Sequence, residues 1–302
     1  MRIFVTGATG FVGAQVVRVL LQAGVEVAAL VSPDGARQRL DGLLNQIQLI
    51  EGRLVEVSSL RASLSDFRPD ACIHCAWYAE PGKYLDSPEN VPMLQDSLVL
   101  IETLIAVGCK QIVSIGTCAE YDTDSGYLRE DGPTKPSTIY AACKLSLCLI
   151  GQQLAAAAGI NFAWARLFYL YGPFEDQRRL VPALIGALQQ GKQFPATAGE
   201  QVRDYLHVED VATALWILAK ERASGIFNVA SGVPITMHQL METISQIVGG
   251  GDHIQFGALP YRQWEPMFIC GDNHRLKTYG WKPRFSLYEG LAQTVAWWMG
   301  RG

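Results

Sequence analysis

The chain has 302 residues, of which 49% are hydrophobic and 18% charged, and its formal net charge is -4 at pH 7. This length allows one large or two smaller domains with a sizeable core, and no basic cluster suited to nucleic acid stands out. We expect no signal peptide, because the chain starts with a strand pattern, and no membrane span, because polar and charged residues interrupt the apolar stretch 11–31. Seven cysteines at irregular spacing favour a reduced, cytoplasmic protein.

The first predicted strand, Arg2 to Thr6, is followed at once by a glycine turn and a helical pattern. This order is typical of a dinucleotide-binding unit, whose glycines permit a tight turn, close approach of a pyrophosphate and close helix packing. Free N–H groups at the start of the helix then bind phosphate. The residues predicted to bind the cofactor here are Gly7, Thr9, Gly10, Phe11, Val12 and Gly13.

The second strand, Val25 to Val31, ends where a dinucleotide site usually has an acidic residue for the adenosine ribose. This chain has Ser32 there, which does not repel a 2′-phosphate. Arg37 and Arg39 follow, and they either pair with such a phosphate or are solvated helix-surface arginines. The pattern therefore favours NADP slightly over NAD as the cofactor, with Ser32 and Arg37 as candidate contacts.

The predicted fourth strand, 70–76, contains a CxxC pair whose members point to opposite faces. No further ligands stand at metal-site spacing, so we interpret Cys72 and Cys75 as core thiols and expect no metal. Ala76 ends the strand beside the cofactor. The loop that follows leaves the carboxyl end of the strand, where ligands bind in open α/β sheets. Its aromatic residues either form a substrate wall or pack the loop: Trp77, Tyr78 and Tyr84.

The fifth strand leads to Thr117, and Tyr140 and Lys144 open a long helix. Residues four apart lie on one helix face, so both side chains can enter one pocket. A lysine cation beside a phenol lowers the pKa of that phenol, which makes Tyr140 a proton donor or acceptor near neutral pH. We interpret the three as a catalytic set; the alternative is an amphipathic helix start with an ordinary surface lysine.

Strand and helix patterns alternate as far as a predicted sixth strand, 161–170, and then the rhythm changes. The expected fold is α/β, with a Rossmann-type doubly wound parallel sheet in residues 1–172. A smaller mixed α/β lobe that binds substrate is expected over residues 173–302. Part of the segment 202–230 is expected to return to the main sheet, with a strand from Gly225 to Val229.

Four stretches together resemble the extended short-chain dehydrogenases/reductases, in particular their NAD(P)-dependent sugar-nucleotide epimerase, dehydratase and reductase group. They are TGATGFVG at 6–13, Thr117 with Tyr140 and Lys144, ARLFYLYGP at 165–173 and VRDYLHVEDVA at 202–212. The resemblance implies that Tyr140 is the acid/base, that Lys144 orients the cofactor ribose and that Thr117 binds the reacting oxygen. It also implies that Arg203, and with it Arg262, binds the diphosphate of the substrate.

The resemblance implies a nucleotide-diphosphate sugar as substrate, and two departures from its pattern narrow the reaction. Tyr169 stands where many members have an Asn that contacts the substrate, and Cys118 and Ala119 stand where 4,6-dehydratases carry an acid and a base. The missing acid and base argue against a 4,6-dehydratase, and the preference for NADP leads us to expect reduction of a 4-keto sugar nucleotide, with C4 epimerisation as the alternative. A 4,6-dehydratase and a cofactor-binding scaffold without activity are less favoured. The apolar helix 137–158 suggests a homodimer.

Overall fold

The computed structural model describes residues 1–262 and 265–300 of the chain. The strands in this part are β1 (Arg2–Thr6), β2 (Glu26–Val31), β3 (Gln48–Glu51), β4 (Ala71–His74), β5 (Gln111–Thr117), β6 (Tyr127–Leu128), β7 (Asn161–Leu167), β8 (Tyr169–Tyr171), β9 (Phe194–Pro195), β10 (Val202–His207), β11 (Gly225–Val229), β12 (Pro234–Thr236), β13 (Ile254–Gln255) and β14 (Cys270–Gly271). The α-helices are α1 (Phe11–Gln22), α2 (Arg61–Phe67), α3 (Asn90–Ala106), α4 (Ile139–Ala158), α5 (Leu180–Gln189), α6 (Val208–Lys220), α7 (Met237–Val248), α8 (His274–Lys277) and α9 (Leu287–Met299).

The main sheet has seven parallel strands in the order β11-β7-β5-β4-β1-β2-β3. Helices α1 and α6 pack together on one face, and α3 and α4 pack together on the other. Because both faces are covered, the central strands are mostly apolar, and every residue of β5 is buried. The doubly wound parallel sheet predicted from the sequence is therefore confirmed.

The direction of strand order reverses between β1 and β4. The helices that follow two neighbouring strands then lie on opposite faces, which opens a crevice at the carboxyl ends of the strands. The glycine loop after β1 and the loop after β4 flank this crevice, and the end of β5 lies next to it.

The predicted sixth strand, 161–170, is divided in the structure. Strand β7 ends at Leu167, and after Phe168 the chain enters β8, which pairs with β10 in a separate three-stranded sheet. The Phe168 ring packs with a small cluster that includes Cys118 and Tyr121, and this packing turns the chain out of the main sheet. The sequence pattern gives no sign of such a break, because strands buried on both faces show no alternation of apolar and polar residues.

The rest of the C-terminal half forms the smaller sheets and a helical cluster. Strands β12-β10-β8 form one sheet, and two-stranded pairs join β13 with β9 and β14 with β6. Helices α5, α7 and α9 share a separate core. Strand β11 pairs with β7 along its whole length, so the predicted return of Gly225–Val229 to the main sheet is confirmed.

Helix α4 carries two of the predicted catalytic residues, and its ends follow from local signals. The Thr138 hydroxyl accepts a hydrogen bond from the N–H of Ala141 at the N-cap, and Gly159 closes the helix in the left-handed region with φ 64°. Within the described residues it is the one helix long and apolar enough to cross a membrane. It packs against α3, β5 and β7 and holds a buried lysine, which is the environment of a core helix.

Candidate active site

The glycine loop after β1 has the geometry that a bound pyrophosphate requires. Gly7 has φ +67°, and a Cβ there would lie 2.6 Å from the N atom of Ala76; a Cβ on Gly13 would lie 2.1 Å from the Gly7 carbonyl oxygen. Helix α1 begins after Gly10 without a side-chain cap and with no acidic residue in its first turn. Its first N–H groups are therefore available to an anion, and the residues present fit a dinucleotide.

The polar residues after β2 are engaged with one another. Arg37 Nη2 lies 2.8 Å from a carboxylate oxygen of Glu51, and Arg53 forms an ion pair with Asp34. Arg39 donates to the carbonyl oxygens of Phe174 and Thr9, at 3.0 Å and 3.3 Å. Two of these three arginines already have carboxylate partners, and the third holds backbone. The expected preference for NADP required arginines available to a 2′-phosphate, and the arginines of this surface are engaged with other groups.

Thr117 ends β5, and its position is fixed by a buried carboxylate that the sequence analysis did not identify. Its backbone N–H donates to Glu120 Oε1 at 2.8 Å, and its hydroxyl accepts from the N–H of Ala119. Glu120 is 0% exposed and also accepts from Arg166 Nε at 2.7 Å and from the Trp164 indole. Burial raises the pKa of Glu120, and the Arg166 guanidinium opposes that rise.

Tyr140 enters the crevice from the first turn of α4. Its ring meets Tyr84 edge-on at a centroid distance of 4.9 Å and Trp77 at 6.4 Å. Burial raises the pKa of Tyr140, and Tyr84 adds to the rise, whereas the facing Thr117 hydroxyl lowers it. The expected lowering of this pKa by Lys144 is therefore wrong, because burial of the phenol dominates the pKa of Tyr140.

Lys144 lies one turn further along α4 and is 3% exposed. Its Nζ donates to the Ile115 carbonyl oxygen at 2.7 Å and stands 3.9 Å from the centre of the Trp77 ring. Burial lowers the pKa of Lys144 to about 7, and Glu120 acts in the opposite direction. The alternative of an ordinary surface lysine is therefore wrong. The Lys144 side chain is buried and is hydrogen-bonded to β5, the strand that presents Thr117.

The aromatic loop after β4 closes one side of the site. The Trp77 indole donates to Asn90 Oδ1 at 2.9 Å, and the Asn90 amide donates to the Tyr84 carbonyl oxygen at 2.6 Å. Asn90 thus holds the loop in place, so that Tyr84 and Trp77 both contact the Tyr140 ring. Tyr78 is turned towards Glu80, to which its hydroxyl donates at 3.2 Å, and it makes no ring contact with Tyr140 among those described.

The opposite side is formed by β8 and β10. Arg203 is 4% exposed; its guanidinium lies 5.3 Å from the Tyr169 ring and donates to Glu265 Oε1 at 3.1 Å. Tyr169 in turn packs against Tyr205 at 5.6 Å. Cys118 is buried near these groups, and burial raises the pKa of its thiol to about 12. Arg262 makes a contact within the described part of the chain, which leaves its assignment to the diphosphate a prediction.

The arrangement can move one proton and orient one oxygen. Thr117 and Tyr140 face each other, and Lys144 is held behind them by the same strand. The structure brings these three predicted residues together, and their catalytic role stays a prediction; Glu120 and Asn90 were not predicted. A polar residue three positions past a buried strand was the available signal for Glu120, and nothing in the sequence indicated its partner Arg166, 46 residues later.

Removal of Glu120 should show how much the buried Arg166 destabilises the fold when it has no carboxylate partner. Glu120→Leu leaves the Arg166 guanidinium buried and unpaired, so we expect a loss of about 3–5 kcal/mol in the free energy of unfolding. The double variant Glu120→Leu/Arg166→Met should recover most of that loss, because an apolar pair of similar volume is often neutral. Urea unfolding followed by tryptophan fluorescence measures both. A single variant as stable as the double would contradict the assignment.

Comparisons with known proteins agree with this geometry. The family model "NAD dependent epimerase/dehydratase family" matches residues 3–230. The chain is 28% identical over 306 residues to a UDP-glucose 4-epimerase of Corynebacterium glutamicum, covering 94% of this chain and 91% of that protein. It is 26% identical to a CDP-abequose synthase of Salmonella typhimurium, with 97% of each covered. A UDP-glucose 4-epimerase of Thermotoga maritima, solved with UDP-glucose, superposes with a TM-score of 0.89 at 25% identity over 100% of this chain and 99% of the other. The chain belongs to the NAD-dependent epimerase/dehydratase family and is a sugar-nucleotide-modifying enzyme.

Proposed function

We propose that the chain is a C4 epimerase of a nucleotide-diphosphate hexose and that it uses NAD. The observation that carries this proposal is the convergence of Thr117, Tyr140 and Lys144 at a dinucleotide loop, with no carboxylate at positions 118 and 119. Hydride transfer at a sugar carbon with proton transfer at its oxygen requires only that set. The sequence favoured reduction of a 4-keto sugar, but UDP-glucose 4-epimerases among the relatives support the alternative.

In this mechanism Tyr140 accepts the proton of the C4 hydroxyl and later returns it to the same oxygen, after the sugar has rotated and the configuration at C4 has inverted. Thr117 binds the same oxygen, and Glu120 holds the Thr117 backbone in place. NAD, when bound, would supply the hydride acceptor and donor. Gly7, Gly10 and Gly13 would hold its pyrophosphate, and Lys144 its ribose. Arg203, now paired with Glu265, would bind the diphosphate of the substrate.

A 4,6-dehydratase needs two further proton transfers, each typically worth about 10²–10⁴ in rate. Ala119 carries no acid or base, and Cys118 is a buried thiol whose pKa is raised to about 12. Reduction of a 4-keto sugar nucleotide remains the second candidate. The same three residues suffice for it, and the similar CDP-abequose synthase shows that the resemblance extends beyond epimerases.

The reaction is tested with UDP-glucose, UDP-galactose and a 4-keto-6-deoxy sugar nucleotide, following product mass and absorbance of reduced cofactor. We expect an isomer of unchanged mass and no net consumption of cofactor. Tyr140→Phe should lower kcat/KM by about 10²–10⁴, because the proton acceptor is gone, and should leave NAD affinity nearly unchanged. The control is Tyr288→Phe, since Tyr288 is 59% exposed and distant from the site residues in sequence.

Other products would replace the proposal. Stoichiometric consumption of NADPH with a gain of two hydrogens would make the enzyme a reductase. Loss of water from a plain hexose would make it a dehydratase. Full turnover by the Tyr140→Phe variant would remove Tyr140 from the acid/base role in any of these reactions.

We further propose that NAD is preferred over NADP. The carboxylates of Glu51 and Asp34 lie beside Arg37 and Arg53 after β2 and β3, where the adenosine ribose of a dinucleotide is expected. A 2′-phosphate would have to displace these carboxylates and would be repelled by them. Fluorescence titration should show tighter binding of NAD than of NADP. The Glu51→Gln variant should have a smaller difference between the two affinities. Equal or tighter binding of NADP to the unmodified chain would overturn this preference.

We propose a cofactor domain at 1–172 and a substrate lobe at 173–302, with part of the segment 202–230 belonging to the main sheet.

We also propose that the protein is a homodimer in the cytoplasm. The dimer is supported by exposed apolar residues on the packed pair α3 and α4. Val99 is 38% exposed, Leu149 54% and Ile150 42%, although these residues lie on helices that otherwise cover the sheet. Two copies that meet face to face would bury them in a four-helix contact.

Light scattering coupled to size-exclusion chromatography tests the dimer. We expect twice the chain mass for the unmodified protein and a shift towards the monomer for Leu149→Glu. The control is Val233→Glu, because Val233 is 65% exposed but lies on a loop before β12. A dimer that persists in Leu149→Glu would exclude this face.

A further inference from the structure

Strand β10 carries a second buried carboxylate, that of Asp204, which is 0% exposed. Its Oδ1 atom accepts hydrogen bonds from the N–H and from the hydroxyl of Ser231, both at 2.7 Å. Its Oδ2 atom accepts from the N–H groups of Gly232 and Gly271, at 3.0 Å and 3.2 Å, and from the Cys270 thiol at 3.4 Å. Five donors in the described part of the chain thus surround one side chain, and they fit its ionised form, which has only acceptors.

The donors to Asp204 come from two segments that further contacts hold in place. The first is held by Asn273, whose side-chain amide donates to the carbonyl oxygens of Ala230 and Ser231 at 2.8 Å and 2.9 Å. The second is closely packed at Gly271, where a Cβ would lie 2.6 Å from the ring of a buried phenylalanine. Asp204 therefore attaches β10 to two well-packed segments at once.

The attachment lies where the backbone pairing of β10 changes partner. Asp204 is the last residue of β10 that pairs with β12, and its partner there is Pro234, which has no N–H to donate. Strand β8 pairs with β10 from Tyr205 to His207. The hydrogen bonds to the Asp204 side chain therefore hold the strand at the point between these two pairings.

Arg203 directly precedes Asp204, so the two side chains leave the strand on opposite faces. The Arg203 guanidinium lies 5.3 Å from the Tyr169 ring, on the side of the candidate pocket. Its Nη1 atom donates to the Val202 carbonyl oxygen at 2.8 Å. Because the guanidinium is hydrogen-bonded to the backbone of its own strand, a shift of that strand displaces the guanidinium as well.

We propose that Asp204 is a positioning residue that orients the Arg203 guanidinium towards the diphosphate of the substrate. The inference rests on the proposed function, in which Arg203 binds this diphosphate, and deepens it by naming the group that fixes the arginine. Glu120 and Asp204 then have similar roles, since each is a buried carboxylate that accepts backbone N–H groups and fixes a strand that presents a site residue. Asp204 acts from the far face of β10, without contact to the ligand.

Isothermal titration calorimetry with UDP, CDP and dTDP tests the proposal, and the diphosphate that the unmodified chain binds most tightly is the probe. Asp204→Asn keeps the size of the side chain, but its NH₂ group cannot accept from the N–H groups of Gly232 and Gly271. We expect this variant to bind the diphosphate about 10-fold or more weakly, because hydrogen bonds to an ionised group are strong. NAD affinity should stay within about twofold, since the glycine loop follows β1.

A double-mutant cycle with Arg203→Gln separates positioning from a general effect on the fold. Arg203→Gln alone should weaken diphosphate binding about 10-fold or more, because a charged donor is lost. If Asp204 acts through the guanidinium, adding Asp204→Asn to this variant should cost less than about twofold more. An equal loss in both backgrounds would overturn the proposal, and so would unchanged affinity in either single variant.

Ser231→Ala is the milder variant if Asp204→Asn does not fold. It removes one hydrogen bond to the carboxylate, so we expect a loss of about two- to tenfold in diphosphate affinity that disappears in the Arg203→Gln background. The control is Ser245→Ala, whose hydroxyl donates to the Glu242 carbonyl oxygen within α7. An equal loss in the control would overturn the proposal. Because these measurements need no turnover, a reductase or dehydratase product would replace the epimerase assignment and leave their result unchanged.

Discussion

The site depends on one buried carboxylate. Glu120 joins the end of β5 to β7, since it accepts hydrogen bonds from Thr117 N–H, Arg166 and Trp164 at once. A charge taken out of water is tolerated only when such partners replace the water it loses. The end of β5 is therefore rigid where it presents the Thr117 hydroxyl, and two residues earlier its Ile115 carbonyl receives the Lys144 ammonium. Thr117 and Lys144, the two proposed catalytic neighbours of Tyr140, are thus positioned by a single strand.

Loss of water decides the protonation states of this site more than the sign of nearby charges does. The Lys144 pKa is lowered to about 7 and the Tyr140 pKa is raised, and burial is the main cause of both shifts. Both groups are therefore nearer to neutrality than a lysine four residues from a tyrosine suggests.

Local signals predicted much of the fold but few of the partners. The glycine turn after β1, the Thr138 cap of α4 and the return of β11 follow from short stretches of sequence and were confirmed. The break at Phe168 was not predictable, because its cause is a cluster assembled from distant segments. Partners such as Glu265 for Arg203, 62 residues apart, are likewise set by tertiary packing.

The aromatic character of the pocket bears on the reaction. Tyr84 packs against the Tyr140 ring, and Tyr169 packs against Tyr205 and lies beside the Arg203 guanidinium. Rings attract a sugar without fixing each of its hydroxyls, whereas an amide at position 169 would add a directional hydrogen bond. In a C4 epimerase the keto sugar has to accept hydride from the cofactor on either of its faces. The sugar must therefore rotate while its diphosphate stays bound. The proposed pocket, with Arg203 at one end and aromatic rings elsewhere, is compatible with that rotation, and a reductase has no need of it.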